Sequence, residues 1–122
     1  MEAGNTFKFG RTAHLWVVVS DPSIDPKQVI IINMTTDRGI DNSCILNCGD
    51  HDLITHVTCM RYDRSRIETN NYLEQLITMN SITLYKPVKA EILQRIRYGA
   101  GISNYIPLEC RQILIAQGLI ES

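Results

Sequence analysis

Long apolar runs are missing from this chain. The two longest, residues 15–19 and 29–32, fall far short of the roughly 20 residues that span a bilayer, so no membrane partner is expected. Charge of one sign is missing too. Twelve Lys and Arg stand against 13 Asp and Glu, a formal net charge of −1. No overall basic field attracts polyanions, and any such contact must rely on a local patch. The four cysteines, Cys44, Cys48, Cys59 and Cys110, contain no C-x-x-C pair, and residues 1–10 lack the apolar core of an export signal. Four reduced thiols in a cytoplasmic protein are therefore expected. No glycine-rich phosphate loop follows a strand-like segment, so nothing points to ATP, dinucleotide or flavin, and no cofactor is expected.

What is present is enough for one domain. The chain has 122 residues, 44% hydrophobic and 20% charged, a size that buries a core without metals or disulfides. With no repeat, low-complexity tract or long linker, residues 1–122 read as a single domain, strand-rich over 7–66 and helix-rich over 70–118. The β-branched run at 14–20, which contains Trp16 and three valines, suits a strand buried on both faces; Trp16 is expected to anchor the interior. Further strands are expected at 7–9, 28–35, 43–47 and 57–62. The second half changes period. Asn71 with Glu74 resembles a capped helix start, and 82–85 reads as a short strand. A helix follows Pro87, with Gly99 and Gly101 as stop residues, and a last helix spans 107–117, closed by Gly118. Strands followed by helices predict a mainly β, α+β fold with the helices segregated at one side. Short early connections favour antiparallel pairing.

One stretch concentrates reactive residue types. Cys48-Gly49-Asp50-His51-Asp52-Leu53-Ile54-Thr55-His56 holds two of the three histidines, two carboxylates and a cysteine between two strands, where loops carry most chemistry. The same stretch also reads as a turn, with Gly49 supplying positive φ and the aspartates capping the backbone. Its residues are credible metal-ligand types, yet the spacing matches neither H-E-x-x-H nor paired C-x-x-C, and no metal is assigned.

The order of a strand 14–22, a strand 29–36, the loop Gly49-Asp50-His51 and a strand ending near Tyr62 resembles small prokaryotic toxins of the PemK/MazF type, in a divergent PemK-like branch. The resemblance implies a small SH3-like antiparallel barrel with C-terminal helices, usually homodimeric. It implies a metal-independent endoribonuclease on single-stranded RNA, held in check by an antitoxin. The family's strand-end threonine falls on Thr35 or Thr36. Where the family has Arg-Pro, this chain has Ala13-His14, with Arg11 as the nearest arginine.

Metal-free RNA cleavage needs a base for the 2′-hydroxyl, an acid for the leaving oxygen and cations or donors at phosphorus. Imidazoles suit the first two tasks. The candidate catalytic residues are therefore His14, Thr36, His51 and Asp50, the last, or Asp52, to orient a histidine, with His56 as a further candidate. Arg11, Arg61, Arg64 and Thr35 are the candidates for holding RNA phosphate, since guanidinium binds it bidentately. Beside these stand plainer roles: His14 and His56 as partners of backbone groups, and the arginines of 61–66 as solvated surface among Asp63 and Glu68. The neutral charge and the Ala13-His14 departure favour a second function class, a non-catalytic partner-binding module on the same barrel.

Overall fold

A computed structural model describes residues 1–11 and 13–122. Six strands form one antiparallel sheet: β1 (Thr6–Lys8), β2 (Trp16–Val18), β3 (Val29–Thr36), β4 (Ile45–Leu46), β5 (Thr58–Glu68) and β6 (Thr83–Tyr85). Their spatial order is β4-β5-β3-β2-β1-β6, and the sheet curls into a half-barrel. Three helices complete it: α1 (Asn70–Thr78), α2 (Ala90–Ile102) and α3 (Leu108–Ala116). The fold is α+β, as expected, with one antiparallel sheet.

The helices do not gather on one side. Side chains alternate across a strand, and both faces of β2 and β3 are apolar, so each face needs its own cover. Leu15, Val17, Val19, Ile30, Ile32 and Met34 pack against Ile92 and Ile96 of α2 and Ile113 and Leu114 of α3. On the opposite face Trp16, Val18, Val29 and Ile31 join Phe7 and Leu73 of α1. Trp16 therefore belongs to the smaller cluster, with the Arg66 guanidinium 5.5 Å from its ring centre. Short β2 is extended by the bonds Met34 N to Leu15 O and Val19 N to Ile30 O, which preserve the expected pairing over 15–19.

Two sequence expectations shift for tertiary reasons. Helix α1 is capped by Thr69, whose hydroxyl accepts from Tyr72 N at 3.1 Å, two residues before Asn71. Gly99 does not stop α2, which runs on to Ile102. It is instead a point of close approach: a Cβ there would lie 2.8 Å from the Cys44 Cβ and collide with the Tyr62 hydroxyl. Tyr62 is fully buried and donates to Ile96 O at 2.7 Å, which fastens β5 to α2. Gly118 does close α3. It adopts φ 72°, with Leu119 N bonded to Leu114 O, the left-handed cap that glycine supplies at least cost.

Strand β5 is longer than its sequence pattern suggests. Ile31 faces Arg66 while Asn33 faces Arg61, so the register breaks around Ile32. Such a bulge bends a strand and re-aims its side chains. Here it leaves Arg61 and Arg66 on the same face of the sheet despite their odd spacing. Among the described residues no helix is long and apolar enough to cross a membrane.

Candidate functional site

Residues 47–57 link β4 to β5, and their two ends behave differently. The first end is closed. Asp50 accepts Asn47 N at 2.8 Å and lies 3.5 Å from Arg95 Nη1, while Arg95 Nη2 donates to Ile45 O at 2.6 Å. The carboxylate thus caps a turn and helps pin it to α2. His51 is buried, with 6% of its surface exposed. Its Nδ1 accepts from Leu53 N at 3.1 Å, so Nε2 carries the proton and donates it to Lys86 O at 2.5 Å. The same carbonyl accepts from the Thr6 hydroxyl at 2.7 Å. Both imidazole nitrogens are committed to backbone, and His51 latches the loop to the residues that follow β6.

The second end is open. It lies where the start of β2 and the end of β3 meet the loop, at a cleft of about 200 Å³. Lys8, His14, Thr35, Thr36, His56 and Thr58 line it. Antiparallel pairing explains the meeting. Thr36 pairs with Thr58, and Phe7 pairs with Trp16, which brings the end of β1 beside the residues before β2. The exposed His56 ring sits between two hydroxyls, Thr36 Oγ1 at 2.7 Å from Nε2 and Thr55 Oγ1 at 3.1 Å from Nδ1. A bond from Thr58 Oγ1 to His56 O at 2.9 Å fixes the backbone beneath it. Leu15, Met34, Leu53 and Ile54 supply an apolar lining.

The structure therefore brings together His14, Thr35, Thr36 and His56 and leaves out His51 and Asp50. His51 cannot reach the cleft with a free nitrogen, because each is held by a main-chain group. The sequence-predicted arginines stand apart as well: among the described residues Arg11, Arg61 and Arg64 are not in the cleft walls. Arg61 is engaged by Asp63 through two bonds of 2.9 and 2.8 Å. Its hydrogen bonds hold the Asp63 carboxyl below the usual range and raise the guanidinium in turn. Arg64 and Arg11 are exposed. The cation that does line the cleft is Lys8, which the strand pattern alone passed over. A hairpin pairing of 6–8 with 15–17 would have found it, since that register sets Lys8 opposite Leu15, which also lines the cleft.

Chemically, the cleft offers two imidazoles, an ammonium and several hydroxyls around one small space. Among the described residues no three His, Cys, Asp or Glu side chains come together to hold a metal ion. The buried thiols are inert by comparison: burial pushes Cys44 and Cys110 each up to about 11. Comparison with protein-family models, with curated proteins and with solved structures found no match to this chain.

Proposed function

We propose that this chain is a metal-independent endoribonuclease of the PemK/MazF toxin type, acting on single-stranded RNA. Under this reading the half-barrel is a divergent SH3-like barrel, and the protein works in the cytoplasm as a homodimer restrained by an antitoxin. The observation that carries the proposal is the meeting of His14, Lys8, Thr36 and His56 in one cleft, with the Thr36 hydroxyl 2.7 Å from His56 Nε2. His14 and His56 are the proton-carrying pair. One takes the 2′-hydroxyl proton as that oxygen attacks phosphorus; the other protonates the departing 5′-oxygen. Lys8 and the hydroxyls of Thr35 and Thr36 face the charge that builds on the phosphoryl oxygens. The products are a 2′,3′-cyclic phosphate and a 5′-hydroxyl. Lys8 here takes the place that the family gives to an arginine, and Asp50 and His51 are scaffold.

The second reading, a partner-binding module without catalysis, has its own support. Tyr98, Ile102, Tyr105 and Leu108 are all more than half exposed along α2 and the turn into α3, an apolar group of the kind that marks interaction surfaces. Purified protein incubated with a single-stranded RNA in EDTA separates the two. The nuclease reading expects cyclic-phosphate ends from the wild type and none from His14→Ala or His56→Ala. Intact RNA with the folded wild type overturns it in favour of the binding module.

A further inference from the structure

The loop that gathers most of the reactive residues contributes its apolar ones to the cleft. Leu53 and Ile54 line it together with Leu15 and Met34, in the same cleft as the groups assigned to phosphate. Leu15, Met34 and Ile54 are buried at 5%, 5% and 3% exposure, whereas Leu53 keeps 40% of its surface open. Nor is this wall loose. The Leu53 amide is bonded to His51 Nδ1, and His51 is bonded to Lys86 O. Ile54 N adds a bond to His51 O at 3.0 Å. The buried imidazole thus ties the Leu53 amide to Lys86 O, and the main-chain carbonyl of the same residue holds Ile54.

We infer that Leu53, backed by the buried Ile54, forms a shelf for one unpaired nucleobase, with His51 as the residue that positions it. The inference rests on the nuclease reading of the polar wall. A phosphate held by Lys8 and the histidines brings an attached ribose and base with it, and the apolar wall is the surface left to receive the base. The cleft volume of about 200 Å³ lies below the ~300–1,000 Å³ of sites for larger ligands, so only a small group is received there. Bases in a duplex are stacked and paired, so only a splayed, single-stranded base reaches such a shelf. The aliphatic side chains of Leu53 and Ile54 carry no donor or acceptor. The shelf therefore selects by apolar area and not by base edge, and a purine is held more tightly than a pyrimidine. At this nucleotide, sequence preference is weak.

Leu53 is exposed at the rim, so replacing it leaves the fold intact. Isotope-labelled wild type is titrated with inorganic phosphate, ribose 5-phosphate, uridine 3′-monophosphate and adenosine 3′-monophosphate, following the methyl signals of Leu53 and Ile54. The expected order of affinity is adenosine nucleotide, uridine nucleotide, then the two base-free probes, with about tenfold between first and last. In Leu53→Ser the nucleotides fall to the level of ribose 5-phosphate while inorganic phosphate is unchanged; Leu53→Met restores the difference. Equal affinity for all four probes, or a nucleotide advantage that survives Leu53→Ser, overturns the shelf and leaves the phosphate site standing. No binding of any probe overturns both.

Discussion

His51 and His56 stand five positions apart in one loop, and the structure treats them in opposite ways. His51 is buried, and its partners are an amide and a carbonyl of the main chain. His56 is exposed, and its partners are two threonine hydroxyls. A main-chain partner cannot turn away, so it fixes both the tautomer and the ring. A hydroxyl rotates, donates or accepts, and can yield its place to a substrate. The nature of the hydrogen-bond partner, more than the residue type, separates the histidine that builds the site from the one that can work in it.

The widest gap between the two ends should appear when each imidazole is removed. His56→Ala leaves the thermal midpoint within a degree or two and lowers RNA cleavage by about 10²–10⁴-fold, the range for a lost acid–base group. His51→Ala does the reverse in kind. It removes the partner of the Leu53 amide and one of the two bonds to Lys86 O, both part-buried, at ~0.5–1.5 kcal/mol each, so the denaturation midpoint falls. Paired denaturant melts and cleavage rates on both variants decide the matter. A stable, inactive His51→Ala protein would dissolve the distinction between the two ends.

A smaller effect probes how tightly the closed end is packed. Gly99 of α2 faces the segment just before β4, and its missing Cβ would press on Cys44 and Tyr62. Gly99→Ala should therefore destabilise by ~1–3 kcal/mol, the usual cost of overpacking, despite alanine's better helix propensity. Two residues on, a Cβ at Gly101 would meet only Ile120 at 3.7 Å, an ordinary contact. Gly101→Ala should stabilise by up to ~1 kcal/mol, the helix-propensity gain alone. Opposite signs for two glycines in one helix are the expected result, read as shifts in the urea midpoint.

This contrast also explains what was legible in the sequence. Local pattern sufficed for strands whose burial is written in their own residues, as in the run 15–19. His14 and His56, named for their residue type, and Thr35 and Thr36, named through the resemblance, lie at strand ends or in a loop that the structure brings to one cleft. Local pattern failed where the deciding partner is remote. His51 is made structural by the carbonyl of Lys86, 35 residues away. Gly99 is needed because Tyr62 arrives from β5. Lys8 enters the cleft through the register of β1 on β2, which no single segment encodes. The helices divide between both sheet faces because β2 and β3 are apolar on both, a consequence the run at 14–20 already implied.

The thiols repeat the comparison at the smallest scale. Cys48, at the loop's turn, is exposed, whereas Cys44, four residues earlier, is buried, as are Cys59 and Cys110. Burial raises Cys44 from 9.0 to about 11 and Cys110 likewise. A thiol whose pKa is higher in the folded state than in the unfolded one holds its proton longer when folded. Its contribution to stability is fully present below pH 9 and is lost as pH rises through about 11. The melting temperature should therefore decline between pH 9 and 11, and Cys44→Ala or Cys110→Ala should make that decline shallower. At pH 8 in native buffer, a thiol reagent should consume one equivalent rapidly, at Cys48, and the other three only as the protein opens. Rapid reaction of two or more thiols would mean that the closed end opens as readily as the cleft.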